Sequence, residues 1–398
     1  MACAAKHNIY NIALLLLISS LFIPAFHFCA GQIFLQQANF FITQQAYRPA
    51  VDALKKAEQW LPRDSAVQHS FGVAYLALAW QAEGLFQKTH YFFAVKYFKK
   101  ATQLNPLEPE YAFSLARIVA LQEKSRPDEI LAAYRRTADL SPNSVQYLEQ
   151  LADKLAQFSR QDELLIAAER LGRIAPNSYY RIRSKPWWNP AIEKQFARGL
   201  AQAASQGTDV RTAQKAAADI MARQGNWAAA AEQQRLALKV DPQQNSRAEY
   251  FQLAAYYLHT KNLPFAFDVL LIGAEKEASA AAVLQGVVAI FHNAGQQAAL
   301  PELYQLLRAK RAFSYAEDIY LAELLIQRRQ DAFAAALLNQ VIAERDYLPK
   351  PWLLLAEIYR RQQKTADMDA ALAKARLRME KFNSNNTAPA VRLPLPRQ

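Results

Sequence analysis

The sequence predicts an all-α fold, a solenoid of about nine helix pairs preceded by a hydrophobic N-terminal helix. Three observations predict it. First, a two-helix unit recurs in register near the C-terminus, where Ala322, Leu325, Leu338 and Val341 are followed 34 residues later by Ala356, Tyr359, Leu372 and Ala375. A period of that length arises when units too small to bury their own apolar faces stack on one another. Second, many units close on proline, at Asn105-Pro106, Ser141-Pro142, Ala175-Pro176 and Asp241-Pro242. Proline lacks an N–H and pushes the preceding residue away from helical backbone, so each pair ends one helix and turns the chain into the next. Third, only 10 of 398 residues are Gly while 52% are hydrophobic, and β-branched runs are few. That balance favours helices.

Residues 1–31 read as a signal peptide or membrane anchor. Between Lys6 and Arg48 no residue is charged, and Ile9 to Ala30 is almost wholly apolar around Leu14-Leu15-Leu16-Leu17. Such a stretch targets a membrane. Its weakly basic start, with no positive cluster after it, predicts a cytoplasmic N-terminus. The expected location is therefore a bacterial inner membrane with a single N-terminal span through residues 9–30 and periplasmic repeats, or the periplasm if the segment is cleaved. Both cysteines, Cys3 and Cys29, fall in this segment, so the repeats must hold by packing without a disulfide.

Residues 32–176 form a first block of repeats. Its first copy carries Phe34, Ala38 and Phe41, then Ala50, Leu54, Ala57 and Pro62; its second carries Phe71, Gly72 and Tyr75, then Ala94, Phe98, Ala101 and Pro106. Trp80 to Thr89 looks like an insertion that lengthens this second unit. Leu115-Ala116 with Ala138, and Leu148, Leu151 and Leu155 with Ala167-Ala168, carry the next two. The clearest unit opens the second block, residues 211–382: Ala217, Ala218 and Met221 precede a Gly225-Asn226-Trp227 turn, and Ala230 and Ala237 follow. Small residues such as Ala230, Ala237, Ala266 and Ala274 mark where paired helices touch. Residues 281–310 are a degenerate copy around Gly286 and Gly295. The polar, then Pro-rich stretch 383–398 has no apolar periodicity and is expected to be disordered.

The repeated small and large positions resemble the tetratricopeptide repeat (TPR) family over roughly residues 33 to 380. The resemblance implies a right-handed α-solenoid of TPR-like helix pairs whose first helices line a concave surface. Aligning the small positions marks Phe113, Arg117, Lys215, Arg223, Phe251, His259, Ile319, Glu323, Arg360 and Arg361 as groove candidates for a protein or peptide partner. A membrane segment followed by repeats also resembles the periplasmic repeat regions of O-antigen ligase and polymerase-type proteins. The implied function is a non-catalytic protein-binding scaffold of the bacterial cell envelope, in surface polysaccharide assembly or export. The alternatives are a direct glycan-binding protein or a pilus or outer-membrane assembly factor.

One stretch, residues 177–210, breaks the rhythm with Tyr179, Tyr180, Arg181, Arg183, Lys185, Trp187 and Trp188. The net charge of +12 is concentrated here and in the tail: residues 173–198 hold six cations against Glu193 alone, and residues 374–398 six against Glu380 alone. Aromatic rings among cations suit the stacking of sugars or an acidic glycan, which makes Tyr179, Tyr180, Arg181, Arg183, Trp187 and Trp188 the ligand-binding candidates. Alternatively, the two tryptophans plug a seam between repeat blocks. Nucleic acid is not expected as a partner, because export would separate the chain from it. No catalytic residues, metal site or cofactor are expected: six histidines show no ligand-pair spacing, and no phosphate-binding or nucleophile-elbow glycine motif occurs.

Overall fold

The computed structural model describes residues 25–121 and 126–386. Among them every regular element is a helix, with 20 α-helices and no strand. The chain divides into two compact units, Met1–Gly199 and Leu200–Gln398. The division falls inside the stretch where the sequence rhythm fails.

The first unit contains α1 (25–43), α2 (Tyr47–Trp60), α3 (Ser65–Gln81), α4 (Gly84–Leu104), α5 (Pro109–Ala120), α6 (Pro127–Leu140), α7 (Val145–Gln157), α8 (Gln161–Ile174) and α9 (Tyr179–Ile182). The chain leaves it within α10 (Pro190–Ser205). Asp64 caps α3 through the N–H groups of Ala66 and Val67, at 2.8 and 3.2 Å, satisfying donors that have no helical partner. Proline ends the pairs as expected: Asn105, Ser141 and Ala175 all sit at φ between −134° and −145° before their prolines. Ala50, Ala57, Ala94 and Ala101 are fully buried where helices approach, and Leu54, Phe71 and Phe98 fill the space between. Gly72 admits the Phe98 ring where a Cβ would collide with it.

The second unit runs through α11 (Val210–Arg223) and α12 (Trp227–Val240), α13 (Arg247–His259) and α14 (Leu263–Glu275), α15 (Ala280–Asn293) and α16 (Leu300–Lys310), α17 (Tyr315–Gln327) and α18 (Asp331–Glu344), and α19 (Pro349–Arg361) and α20 (Thr365–Asn386). Its backbone repeats with the sequence. Lys261, Gly295, Arg329 and Gln363, each 34 residues after the last, end the first helix of a pair in left-handed conformation, at φ of 59°, 67°, 61° and 60°. In each case the following N–H donates to the carbonyl five residues back: Asn262 to Tyr257, Gln296 to Phe291, Gln330 to Leu325 and Lys364 to Tyr359, all at 2.9 or 3.0 Å. These are Schellman turns, which satisfy the last carbonyls of one helix while aiming the chain back along it. Ser246 and Ser314 open α13 and α17 with full capping boxes to Glu249 and Glu317. Ala230, Ala237 and Ala266 are fully buried and Ala274 nearly so, in the close-approach positions read from sequence.

Two sequence expectations are corrected. No helix among the described residues is long and apolar enough to cross a membrane, which overturns the assignment to an inner membrane through a single N-terminal span. The part of the predicted segment that is described, residues 25–30, belongs to α1, where Phe26 and His27 meet the Trp60 ring edge-on at 6.0 and 4.8 Å and Gly31 faces Leu61. Absence of charge suggested a membrane, but these side chains have a partner within the repeat. Residues 9–24 lie outside the described residues. So do 387–398, most of the expected disordered tail, whereas α20 runs four residues past the predicted end of the second block at 382.

Candidate binding site

The aromatic and basic stretch is built on the end of the first unit. After α8, Ala175 turns the chain into a short 3-10 turn over Pro176–Ser178, and α9 follows at once. The N–H groups of Lys185 and Trp188 donate to Ile182 and Lys185 carbonyls, at 2.9 and 3.0 Å, which tightens the loop. Asn189 then caps α10 by accepting from the N–H groups of Ala191 and Ile192 at 3.0 and 3.1 Å.

Within this loop the six predicted residues separate into two sets. Tyr179 is fully buried, with Trp188 and Phe196 against its ring at centroid distances of 6.0 and 5.9 Å; Trp188 meets Phe196 edge-on at 5.6 Å. Tyr179 and Phe196 are core of the first unit, and the half-buried Trp188 packs against them. Tyr180, by contrast, is 42% exposed, and the Arg183 guanidinium lies 5.5 Å from the centroids of both tyrosine rings. Trp187 is half-buried and donates from Nε1 to Asp153 Oδ1 at 2.8 Å, while Lys185 Nζ pairs with the other oxygen at 2.9 Å. Arg181 pairs with Glu149, one helical turn earlier on α7. Two of the cations counted as excess charge are thus neutralised by acids 32 residues upstream. Sequence counting missed Glu149 and Asp153 because their partners lie one repeat away; an acid at that offset from a cation was the available signal.

The groove candidates follow the same rule. Phe113, Phe251 and Ile319 are buried, packed between helices and not lining an open surface. Phe251 fills the space left by Gly286, where a Cβ would meet its ring. Arg117 is exposed, with its guanidinium 5.7 Å from the Phe113 ring. Lys215 and Arg211 on α11 converge on Glu249 of α13 at 2.7 and 2.8 Å. Burial pushes the Glu249 carboxyl up, but the Lys215 hydrogen bond, the Ser246 N–H and both cationic charges outweigh it and hold the carboxyl below its ordinary 4.5. His259 stacks on Trp227 at 3.9 Å, and burial lowers its pKa. Glu323 pairs with Lys350 at 2.7 Å. Arg361 donates to the Ile326 carbonyl at 2.7 Å and pairs with Glu357 and Asp331. Arg223 and Arg360 stand exposed in the last turns of α11 and α19. What emerges is a ladder between first helices of successive pairs, which also includes Gln252 and Tyr256 of α13 on Asp219 of α11. Among the described residues no group of three or more His, Cys, Asp or Glu is placed to hold a metal ion.

No protein-family model and no curated protein matches the chain. Solved structures similar to it include IFIT1 with m7Gppp-AAAA, at 14% identity, covering 85% of this chain and 79% of that one, with a TM-score of 0.30. Another is PilW, a type IV pilus biogenesis factor, at 15% identity, 63% and 94% coverage, and a TM-score of 0.29. A third is the P58(IPK) TPR domain, at 10% identity, 90% and 99% coverage, and a TM-score of 0.26. Superposition at this level transfers no activity or partner. The class stands on the chain's own features: an all-α array of helix pairs, spaced by 34 residues through most of its second unit.

Proposed function

We propose that the chain is a non-catalytic scaffold that binds protein partners, as extended peptides or helices, along the first helices of its pairs. The observation that carries this reading is the ladder from first helix to first helix in the second unit, seen at Lys215 and Glu249 and again at Lys350 and Glu323; in the first unit Asp153 of α7 ties instead to Lys185 and Trp187 of the loop after α9. Side-by-side helices held this way present a broad surface with spaced polar and aromatic side chains, the kind of platform that recognises a segment rather than a small molecule. Arg117, Arg223 and Arg360 are its exposed members.

The test is photo-crosslinking in the native host, with the crosslinker at Arg117 or Arg360 and a control at Lys239, exposed on the second helix of its pair. Protein adducts at the first two positions and none at the third are expected. Equal adducts at all three, or none, contradict the proposal. Carbohydrate on Tyr180 or Trp187 in a parallel crosslink would favour the glycan reading, for which the half-exposed Tyr180 and Arg183 stack is the specific support. A role in surface polysaccharide assembly rests on sequence resemblance alone; co-isolation of polysaccharide-synthesis proteins with the crosslinked chain would support it.

A further inference from the structure

The hairpin α3–α4 carries an exposed face that the scaffold reading does not use. The pair is the longest in the first unit, 17 and 21 residues, and its turn holds the stretch that reads as an insertion. At that turn Trp80 is 57% exposed, Leu85 79%, Phe86 73% and, two turns along α4, Phe92 67%. Burying none of these rings helps the fold, so their exposure calls for an occupant.

The charge of the same face indicates which occupant. From Gly84 to Leu104 α4 has no acidic residue and four lysines. At 3.6 residues per turn, Leu85, Lys88, Thr89, Phe92, Lys96 and Lys99 fall within an arc of roughly 100°. All six are exposed. Lys100, off that arc, pairs with Glu58 at 3.0 Å, whereas Lys88, Lys96 and Lys99 have no ion pair among the described residues. Protein interfaces deplete lysine at their centres, and nucleic acid, although its bases stack on aromatic rings, offers no apolar medium to receive an exposed Leu85. Lysines interleaved with Leu85 and Phe92 on one face of α4, with Trp80 and Phe86 exposed beside it at the α3–α4 turn, match a surface that offers both anionic headgroups and acyl chains.

We propose that this face of α4, with the α3–α4 turn, docks on the surface of an anionic lipid bilayer, inserting Leu85, Phe86, Phe92 and Trp80 into the headgroup boundary while Lys88, Lys96 and Lys99 meet lipid phosphates. The contact is peripheral and independent of the scaffold reading. The experiment is co-sedimentation of the full chain with vesicles of phosphatidylcholine alone or mixed with phosphatidylglycerol. Tighter partitioning onto the mixed vesicles is expected, weakened by salt. At roughly fivefold per lysine, K88E/K96E/K99E should lower the partition coefficient on mixed vesicles at least about 100-fold. L85Q/F86Q/F92Q should weaken it with unchanged circular dichroism, since all three side chains are already exposed. Wild-type partitioning by both triple variants overturns the proposal, whatever else in the chain binds lipid. So does binding of an RNA oligonucleotide, but not vesicles, that the lysine variant abolishes, or binding of an acidic peptide with no lipid dependence.

Discussion

Arg329 sits at φ 61° one helical repeat after Gly295 at φ 67°, in the same place in the same turn. Left-handed backbone costs an L-residue about 1–2 kcal/mol, against about 0.5–1 kcal/mol of chain entropy that glycine forfeits on folding. Arg329→Gly should therefore stabilise the second unit by about 0.5–1 kcal/mol, and Gly295→Ala should destabilise it by about 1 kcal/mol. Nothing lies within 4 Å of a Cβ at Gly295, so the backbone alone would account for that loss. Chemical denaturation of the two variants, read as changes in midpoint at constant slope, checks both signs. Titration provides a second residue-level expectation. His69 and His259 have pKa values lowered by burial, and Glu249 is held below 4.5. In all three the unfolded chain binds more protons, so each contributes stability that is lost as pH falls: the histidines from about 6.5 downward, Glu249 from 4.5 downward. Melting temperature against pH should show two descending steps, the lower one smaller in Glu249→Gln.

At the scale of elements, Asp153 ties α7 to the loop after α9 through Trp187 Nε1 and Lys185 Nζ. Asp153→Ala leaves a partly buried indole N–H and an ammonium without their acceptor, a cost of about 1–3 kcal/mol. Hydrogen exchange should report it as faster exchange in α7 and residues 176–189; unchanged protection there would mean the loop holds by ring packing alone. The sequence made much of this region legible and hid the rest for a definite reason. Helix pairs, proline ends and buried alanines are local or periodic signals, and they were readable at Ala175-Pro176 or Ala266. Which cation meets which acid depends on stacking, so Arg181 and Lys185 looked like free charge until α7 was beside them. Burial on a helix face is likewise set by the neighbouring pair: Phe113, Phe251 and Ile319 aligned with groove positions yet lie inside. At the described end of the apolar N-terminal stretch, hydrophobicity does not say whether lipid or Trp60 meets Phe26 and His27.

For the whole molecule, a repeat array gains stability from each pair's contact with its neighbours, so it stands on register: the same face of every second helix must be the buried one. On α14 Ala266 is fully buried while Ile272, on the same helix, is 43% exposed. The direct measurement compares Ala266→Trp with Ile272→Trp by denaturant unfolding. The repeat register predicts that an indole at Ala266 overpacks the helix contact and costs about 1–3 kcal/mol or more, whereas one at Ile272 changes stability by no more than about 0.5 kcal/mol. Equal midpoints for the two variants would place Ala266 at the surface and contradict the register.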